Sequence, residues 1–262
     1  MPAKSKTTKK TKTKPPTPSD TSASLTAADK HKGAILPQHL QSILPMTQTQ
    51  RDFVTAYDAG QVACVLHGVA GTGKTFIALY KAFQDVLLKD AARRVIIIRS
   101  SVPSREIGFL PGDAAEKMSA YQRPYMDICA RLFKHPQAFE KLDAQGQLEF
   151  WSTSFVRGVT LDDAIIVVDE CQNMTDMELN SIMTRVGARS KILFCGDFRQ
   201  TDLHKKSDAS GLIEFMQTVM TMPQFAVFEF HIEDIVRSPL VKSYILARLA
   251  VKDAQDHAVC GG

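Results

Sequence analysis

Six short apolar runs punctuate the chain: VACVLH (62–67), VIIIRS (95–100), LEFWSTS (148–154), IIVVDE (165–170), KILFCGD (191–197) and FAVFEFH (225–231). Each is rich in β-branched, aromatic or other apolar residues and bounded by polar or turn-forming positions, as a strand buried on both faces must be. Helical spacing of apolar residues separates most of them, over 74–89, about 113–133, 176–186, 209–221 and 239–252. Strands alternating with helices predict an α/β fold: a mostly parallel sheet with helices on both faces. Ligands of such sheets bind at the carboxyl ends of the strands. The chemistry-bearing residues fall there, with GVAGTGKT after the first run, Asp-Glu closing the fourth and Gly-Asp closing the fifth.

GVAGTGKT (68–75) fits the phosphate-binding pattern G-x-x-x-x-G-K-[ST], with a strand before it and the helix pattern FIALYKAF after it. Gly68, Gly71 and Gly73 let the backbone turn sharply and bring N–H groups, with those of Val69, Ala70 and Thr72, against phosphate oxygens. The following helix offers the positive end of its dipole to the same anion. Lys74 reaches the β- and γ-phosphates as a point charge, and the Thr75 hydroxyl is placed to ligate Mg²⁺. ATP and Mg²⁺ are therefore the expected cofactors.

IIVVDE supplies the second half of such a site. Asp169 is expected to hold Mg²⁺, directly or through water, and Glu170 to orient and deprotonate an attacking water. A carboxylate in that position argues for an ATPase that hydrolyses with water and against a kinase or GTPase plan. In GDFRQTD (196–202), a Gly-Asp turn after the fifth run is expected to present Gln200 to the γ-phosphate or the attacking water.

Composition adds a charge asymmetry. Residues 1–32 carry eight lysines against Asp20 and Asp29, a net +6 in a chain of +4, so residues 33–262 sum to about −2. The first 24 residues are almost all Lys, Thr, Pro, Ser and Ala. Such a segment buries no apolar surface, so 1–32 is expected to be a disordered basic tail ahead of a single ATPase domain over 33–262. The tail suits either a tether to a polyanion or a solubilising extension. No apolar run approaches the roughly 18 residues of a membrane span, and no apolar segment follows the basic start as in a secretory signal. The five cysteines show no CxxC spacing, which points away from zinc and towards a reducing, cytoplasmic setting.

The segments GVAGTGKT, IGFLPGD with EK after it, FVRGVTLDDAIIVVDECQNM, TRVG, CGDFRQTD, SGL and DIVRS occur in this order over about residues 45–246. On them the chain resembles the PhoH family, in the compact form carried by phages and bacteria. The resemblance implies a RecA-like P-loop core similar to the first motor domain of superfamily-1 helicases. It implies RNA or single-stranded DNA as partner. Gln50, in MTQTQRDF, matches the glutamine that reads the adenine edge in helicase relatives; on residue type alone it is equally a solvated helix residue. Arg237, in DIVRS, matches an arginine resembling the helicase motif that touches the γ-phosphate. Arg185 and Arg157 also stand at family positions. Any of the three suits transition-state charge, in cis or from a neighbouring subunit, or else a structural ion pair.

The chain departs from many cellular members in reading Arg99-Ser100 where they read Arg-Pro, in a slightly shorter SVPSREIGFLPGD loop, and in Ala120 ahead of Tyr121. That loop is the candidate nucleic-acid groove, with Ser101, Arg105 and Lys117 as phosphate contacts; its apolar residues Phe109, Leu110 and Pro111 suit instead a structural lid over the sheet edge. One RecA-like unit leaves a site that a second copy would complete, so a homo-oligomer, hexameric by family analogy, is expected. Two functions fit: an ATP-driven motor or remodeller of RNA or single-stranded nucleic acid, and an ATP-dependent switch that recruits a protein without translocating.

Overall fold

Period-two alternation and parallel pairing together organise the sheet. The computed structural model describes residues 33–100, 114–197 and 206–260. Its strands are β1 (Ala63–Gly68), β2 (Arg94–Arg99), β3 (Leu148–Ser152), β4 (Ala164–Asp169), β5 (Lys191–Gly196) and β6 (Phe225–Phe230), in the spatial order β3-β2-β4-β5-β1-β6. Every pairing is parallel. The helices are α1 (Gln48–Asp58), α2 (Lys74–Leu87), α3 (Ala114–Phe133), α4 (Ala138–Ala144), α5 (Asp176–Met183), α6 (Lys206–Met220) and α7 (Pro239–Cys260). This is the expected parallel sheet, with β5 inserted between the strand that enters the P-loop and the strand that ends in Asp169.

Successive side chains on a strand point to opposite faces, so each strand feeds two cores. Cys64, Leu66, Val95, Ile97, Ile165, Val167, Leu193 and Cys195 pack with the apolar faces of α1, α2, α3 and α4. Val65, Ile96, Ile98, Ile166, Val168, Ile192 and Phe194 pack with Leu179 and Ile182 of α5 and Leu212, Phe215 and Val219 of α6. Both layers are apolar, which is why the strands read as continuous hydrophobic runs. Burial pushes the Cys64 thiol up to about 12, so it packs there as a small apolar group.

All six strands fall within two residues of their sequence-based bounds. Two helices escape the periodicity. In α1 only Gln50, Phe53 and Tyr57 are buried, a narrow stripe in a polar segment, and Thr47 caps it by accepting from Gln50 N–H. In α4 only Ala138, Phe139 and Leu142 are buried over seven residues. Helix α5 stops at Met183, earlier than expected, because the chain turns to bridge Val186 to Leu161. Helix α7 runs on to Cys260, beyond the expected 252.

At the sheet end opposite the P-loop, a carboxylate ties α1, α2 and the start of β5 together. Asp85 of α2, 1% exposed, accepts from Tyr57 Oη and Lys191 Nζ, each at 2.8 Å, and lies 3.1 Å from Lys89 Nζ. Lys191 also sits 4.1 Å from the centroid of the Tyr57 ring. Burial alone would raise the Asp85 pKa, but hydrogen bonds from Lys191, Tyr57 and Lys89 outweigh it and hold the group below the usual carboxylate range.

A depressed native pKa stabilises the fold above the unfolded carboxylate value and is lost as pH falls through the native one. Asp85→Asn is therefore expected to cost about 2 kcal/mol at neutral pH, since it leaves the buried Tyr57 hydroxyl and the partly exposed Lys191 ammonium without their anion. Urea unfolding followed from pH 7 down to pH 3 checks this. The wild type loses stability below about pH 4, and the variant loses less over the same interval.

Candidate nucleotide-binding site

The P-loop joins β1 to α2 through three glycines at positive φ: Gly68 (121°), Gly71 (80°) and Gly73 (79°). At Gly68 a glycine is obligatory for a second reason. A Cβ there would lie 2.1 Å from the Phe230 carbonyl oxygen, and the same oxygen accepts from Val69 N–H at 2.9 Å. Strand β6 therefore holds the start of the loop by direct backbone contact. The Thr72 hydroxyl closes the turn on Val69 O at 2.9 Å. Lys74 Nζ donates to Gly68 O and Val69 O, both at 2.8 Å. Burial lowers the Lys74 pKa, and the nearby charges of Asp197, Asp169 and Glu170 oppose that shift.

The loop is braced from two further sides. Gln50 of α1 donates from Nε2 to Thr72 O at 2.8 Å, while its Oε1 accepts from Met46 N–H at 2.8 Å. It is 5% exposed, which removes the reading of Gln50 as a solvated helix residue. On the other side Val236 N–H donates to Gly71 O at 3.1 Å, and a Cβ at Gly71 would meet Arg237 Cγ at 3.0 Å. Of the three candidate arginines, Arg237 lines the cavity over the loop, and Arg157 and Arg185 do not. Arg157 is exposed, with Nη2 3.2 Å from Met177 Sδ. Arg185 is half-buried beyond the end of α5, with no hydrogen-bond partner for Nε among the described residues.

The carboxylates meet the loop at the end of β4. Asp169 Oδ1 accepts from Thr75 Oγ1 at 2.7 Å, and Oδ2 accepts from Tyr125 Oη at 2.8 Å. Tyr125, on α3, is fully buried; burial first, and the Asp169 charge second, raise its pKa well above the ordinary value, so it stays a donor. Glu170 follows at φ 53°, a left-handed conformation uncommon for a residue with a side chain. Burial and then the Asp169 charge push its pKa up, while Gln172, Arg99 and Lys74 pull it down. Gln172 donates from Nε2 to Glu170 Oε2 at 2.6 Å and accepts from Asp197 N–H at 3.1 Å. One amide thus spans Glu170 and the end of β5. Gly196 makes room for it, since a Cβ there would lie 2.5 Å from Gln172 Oε1.

These groups share a cavity of about 630 Å³ with Lys74, Thr75, Asp169, Glu170 and Arg237 on its walls, a volume suited to a nucleoside triphosphate. Among the described residues no cluster of three or more His, Cys, Asp or Glu side chains could cage a metal. The Thr75 hydroxyl and Asp169 carboxylate are hard oxygen donors in contact with one another, which fits Mg²⁺, an ion that takes few protein ligands and shares the rest with phosphates and water. Gln200, Ser101 and Arg105 lie outside the described residues, and Lys117 is placed on α3 by its backbone alone. Sequence reasoning missed Tyr125, Gln172 and the cavity-lining Arg99 and Arg131. Of these, Gln172 alone had a local signal, two residues past Asp-Glu. Among the described residues no helix is long and apolar enough to cross a membrane.

A family model described as PhoH-like protein matches residues 42–248. A PhoH-like protein of Mycobacterium leprae (strain TN) is 35% identical over 212 residues, covering 80% of this chain and 60% of that one. A PhoH-like protein of Bacillus subtilis (strain 168) is 35% identical over 208 residues, covering 79% of this chain and 64% of that one. The chain therefore spans about six-tenths of the length of these curated relatives. Among solved structures, the large terminase from a thermophilic bacteriophage is similar with a TM-score of 0.46 and 12% identity, covering 77% of this chain and 50% of that chain. The family match begins ahead of α1 and ends within α7, taking in every part of the site, and on it the chain belongs to the PhoH family.

Proposed function

We propose that the chain is a Mg²⁺-dependent ATPase and works as an oligomeric motor or remodeller on RNA or single-stranded nucleic acid. The observation that carries the hydrolytic part is the 2.7 Å bond between Thr75 and Asp169, which brings a P-loop hydroxyl and a strand-end carboxylate to one point beside Glu170. In this reading the N-terminus of α2 and the Lys74 ammonium receive the β- and γ-phosphates, Lys74 leaving the carbonyls of Gly68 and Val69. Thr75 and Asp169 hold Mg²⁺, which when bound neutralises charge on the phosphate oxygens. Glu170, oriented by Gln172, takes the proton of the attacking water. Arg237, against Gly71, faces the γ-phosphate, a role that the GDFRQTD motif assigns to Gln200 as well.

Two features support the motor. The Gln172 amide links Glu170 to Asp197 at the end of β5, so a change at Glu170 on hydrolysis is passed to that strand end. The basic tail offers phosphate contacts. Support for self-assembly comes from α7, where Leu240 (81% exposed) and Tyr244 (65% exposed) are large apolar side chains on the helix that follows Arg237. The same face favours the second reading, a nucleotide-dependent switch that recruits a protein.

Steady-state ATP hydrolysis with and without single-stranded RNA or DNA tests the proposal. Stimulation by one strand type, lost at high salt, is expected of the motor; hydrolysis indifferent to both moves the reading to the switch. Glu170→Gln should lower kcat by about 10²-fold or more. A kcat equal to wild type would remove Glu170 as the base. Tyr125→Phe leaves Asp169 Oδ2 without its donor and should raise the Mg²⁺ concentration for half-maximal rate by about tenfold; an unchanged Mg²⁺ titration would limit Tyr125 to packing. Light scattering with an ATP analogue and Mg²⁺ should give a multiple of the 29.0 kDa chain mass, and a single-chain mass would exclude the oligomer.

A further inference from the structure

The phosphate end of the cavity is accounted for by Lys74, Thr75 and Asp169. Its other end is built differently. Pro124, Ile128 and Arg131 line it from one face of α3, at helical spacing, and Phe76 lines it from the first turn of α2. The Arg131 guanidinium lies over the Phe76 ring, 5.0 Å from the centroid. Arg131 is exposed, and among the described residues no carboxylate lies within ion-pair distance of it. An arginine stacked on an aromatic ring, with no acid partner among those residues and a place in the cavity wall, is a ready stacking surface for a planar ligand.

Beside these residues runs a strap, residues 41–46, pinned at three points. Gln41 N–H donates to Leu132 O at 2.8 Å, Ile43 N–H to Tyr80 Oη at 3.2 Å and Met46 N–H to Gln50 Oε1 at 2.8 Å. These bonds fix the strap's backbone and leave Leu44 (81% exposed) and Met46 (72% exposed) at the cavity edge. Two large apolar side chains held in water at the rim of a pocket gain burial from an apolar, flat occupant and nothing from a phosphate. The first anchor residue, Leu132, is the neighbour of Arg131, so strap and stacking surface are set by one helix end.

We propose that this end is the nucleobase slot, in which Arg131, backed by Phe76, stacks on the base and Leu44 and Met46 cover it. The proposal rests on reading the cavity as a nucleoside triphosphate site. It makes Arg131 an affinity-determining residue for the base, and it gives Gln50 a separate task, holding strap and P-loop together through Met46 and Thr72.

Equilibrium titrations of the full chain with Mg²⁺, using ATP and inorganic tripolyphosphate as probes, test it. Tripolyphosphate carries the phosphates without a base and also reports whether each variant keeps a folded P-loop. Arg131→Ala should weaken ATP about tenfold, the usual effect of losing one stacking partner, and leave tripolyphosphate within about twofold. Arg131→Lys should recover little of the loss, because an ammonium has no plane to stack. The slot is overturned if Arg131→Ala leaves ATP unchanged, if it weakens tripolyphosphate as much as ATP, or if Arg131→Lys restores ATP in full. Wild-type protein that binds neither probe would overturn the nucleotide reading itself. Wild-type binding of both with no effect of Arg131→Ala would remove only the slot.

Discussion

The carboxylate of Asp169 is the joint on which the site depends. One oxygen is held by Thr75, at the start of the helix after the P-loop, and the other by Tyr125, from a helix that crosses the same face of the sheet. Two donors on one buried acid fix three elements relative to each other: the end of β4, the first turn of α2 and the middle of α3. With both oxygens engaged, the carboxylate is held in one orientation at the end of β4, on the wall of the cavity.

The rest of the site is arranged around that joint by backbone contacts that tolerate little substitution. Strand β6 touches the loop at Gly68 and Val69, the segment after it touches Gly71, and α1 reaches Thr72 through Gln50. A P-loop is a chain of backbone donors that must face one way, and its own carbonyls need partners elsewhere. Elements distant in sequence supply them. The left-handed backbone at Glu170 serves the same end: it turns the chain out of β4 so that Glu170 meets Gln172, and through it Asp197.

Much of this was legible in the sequence, and the reasons differ by element. The strands were found because a strand covered on both faces must be apolar at successive positions. Asp169, Glu170 and the P-loop were found because their chemistry is written in contiguous residues. Helix α1 was missed as an element, since three buried positions in a polar stretch give little periodicity, and α4 is too short to show any. Tyr125 reads as an ordinary core aromatic, and Arg131 as a solvated charge near a helix end. Nothing local separates them from residues with no task.

The sequence by itself determined the alternation of strands and helices, the glycines that the loop needs at positive φ, and the acids at the strand end. These are demands of local backbone geometry and of burial, and they act residue by residue. Only the tertiary structure decided which side chains complete the site. Tyr125 and Asp169 stand 44 residues apart, and Thr75 and Asp169 stand 94 apart. Such partners are chosen by how α2 and α3 pack across the parallel sheet, a packing that depends on every strand between them and so is not written at either residue.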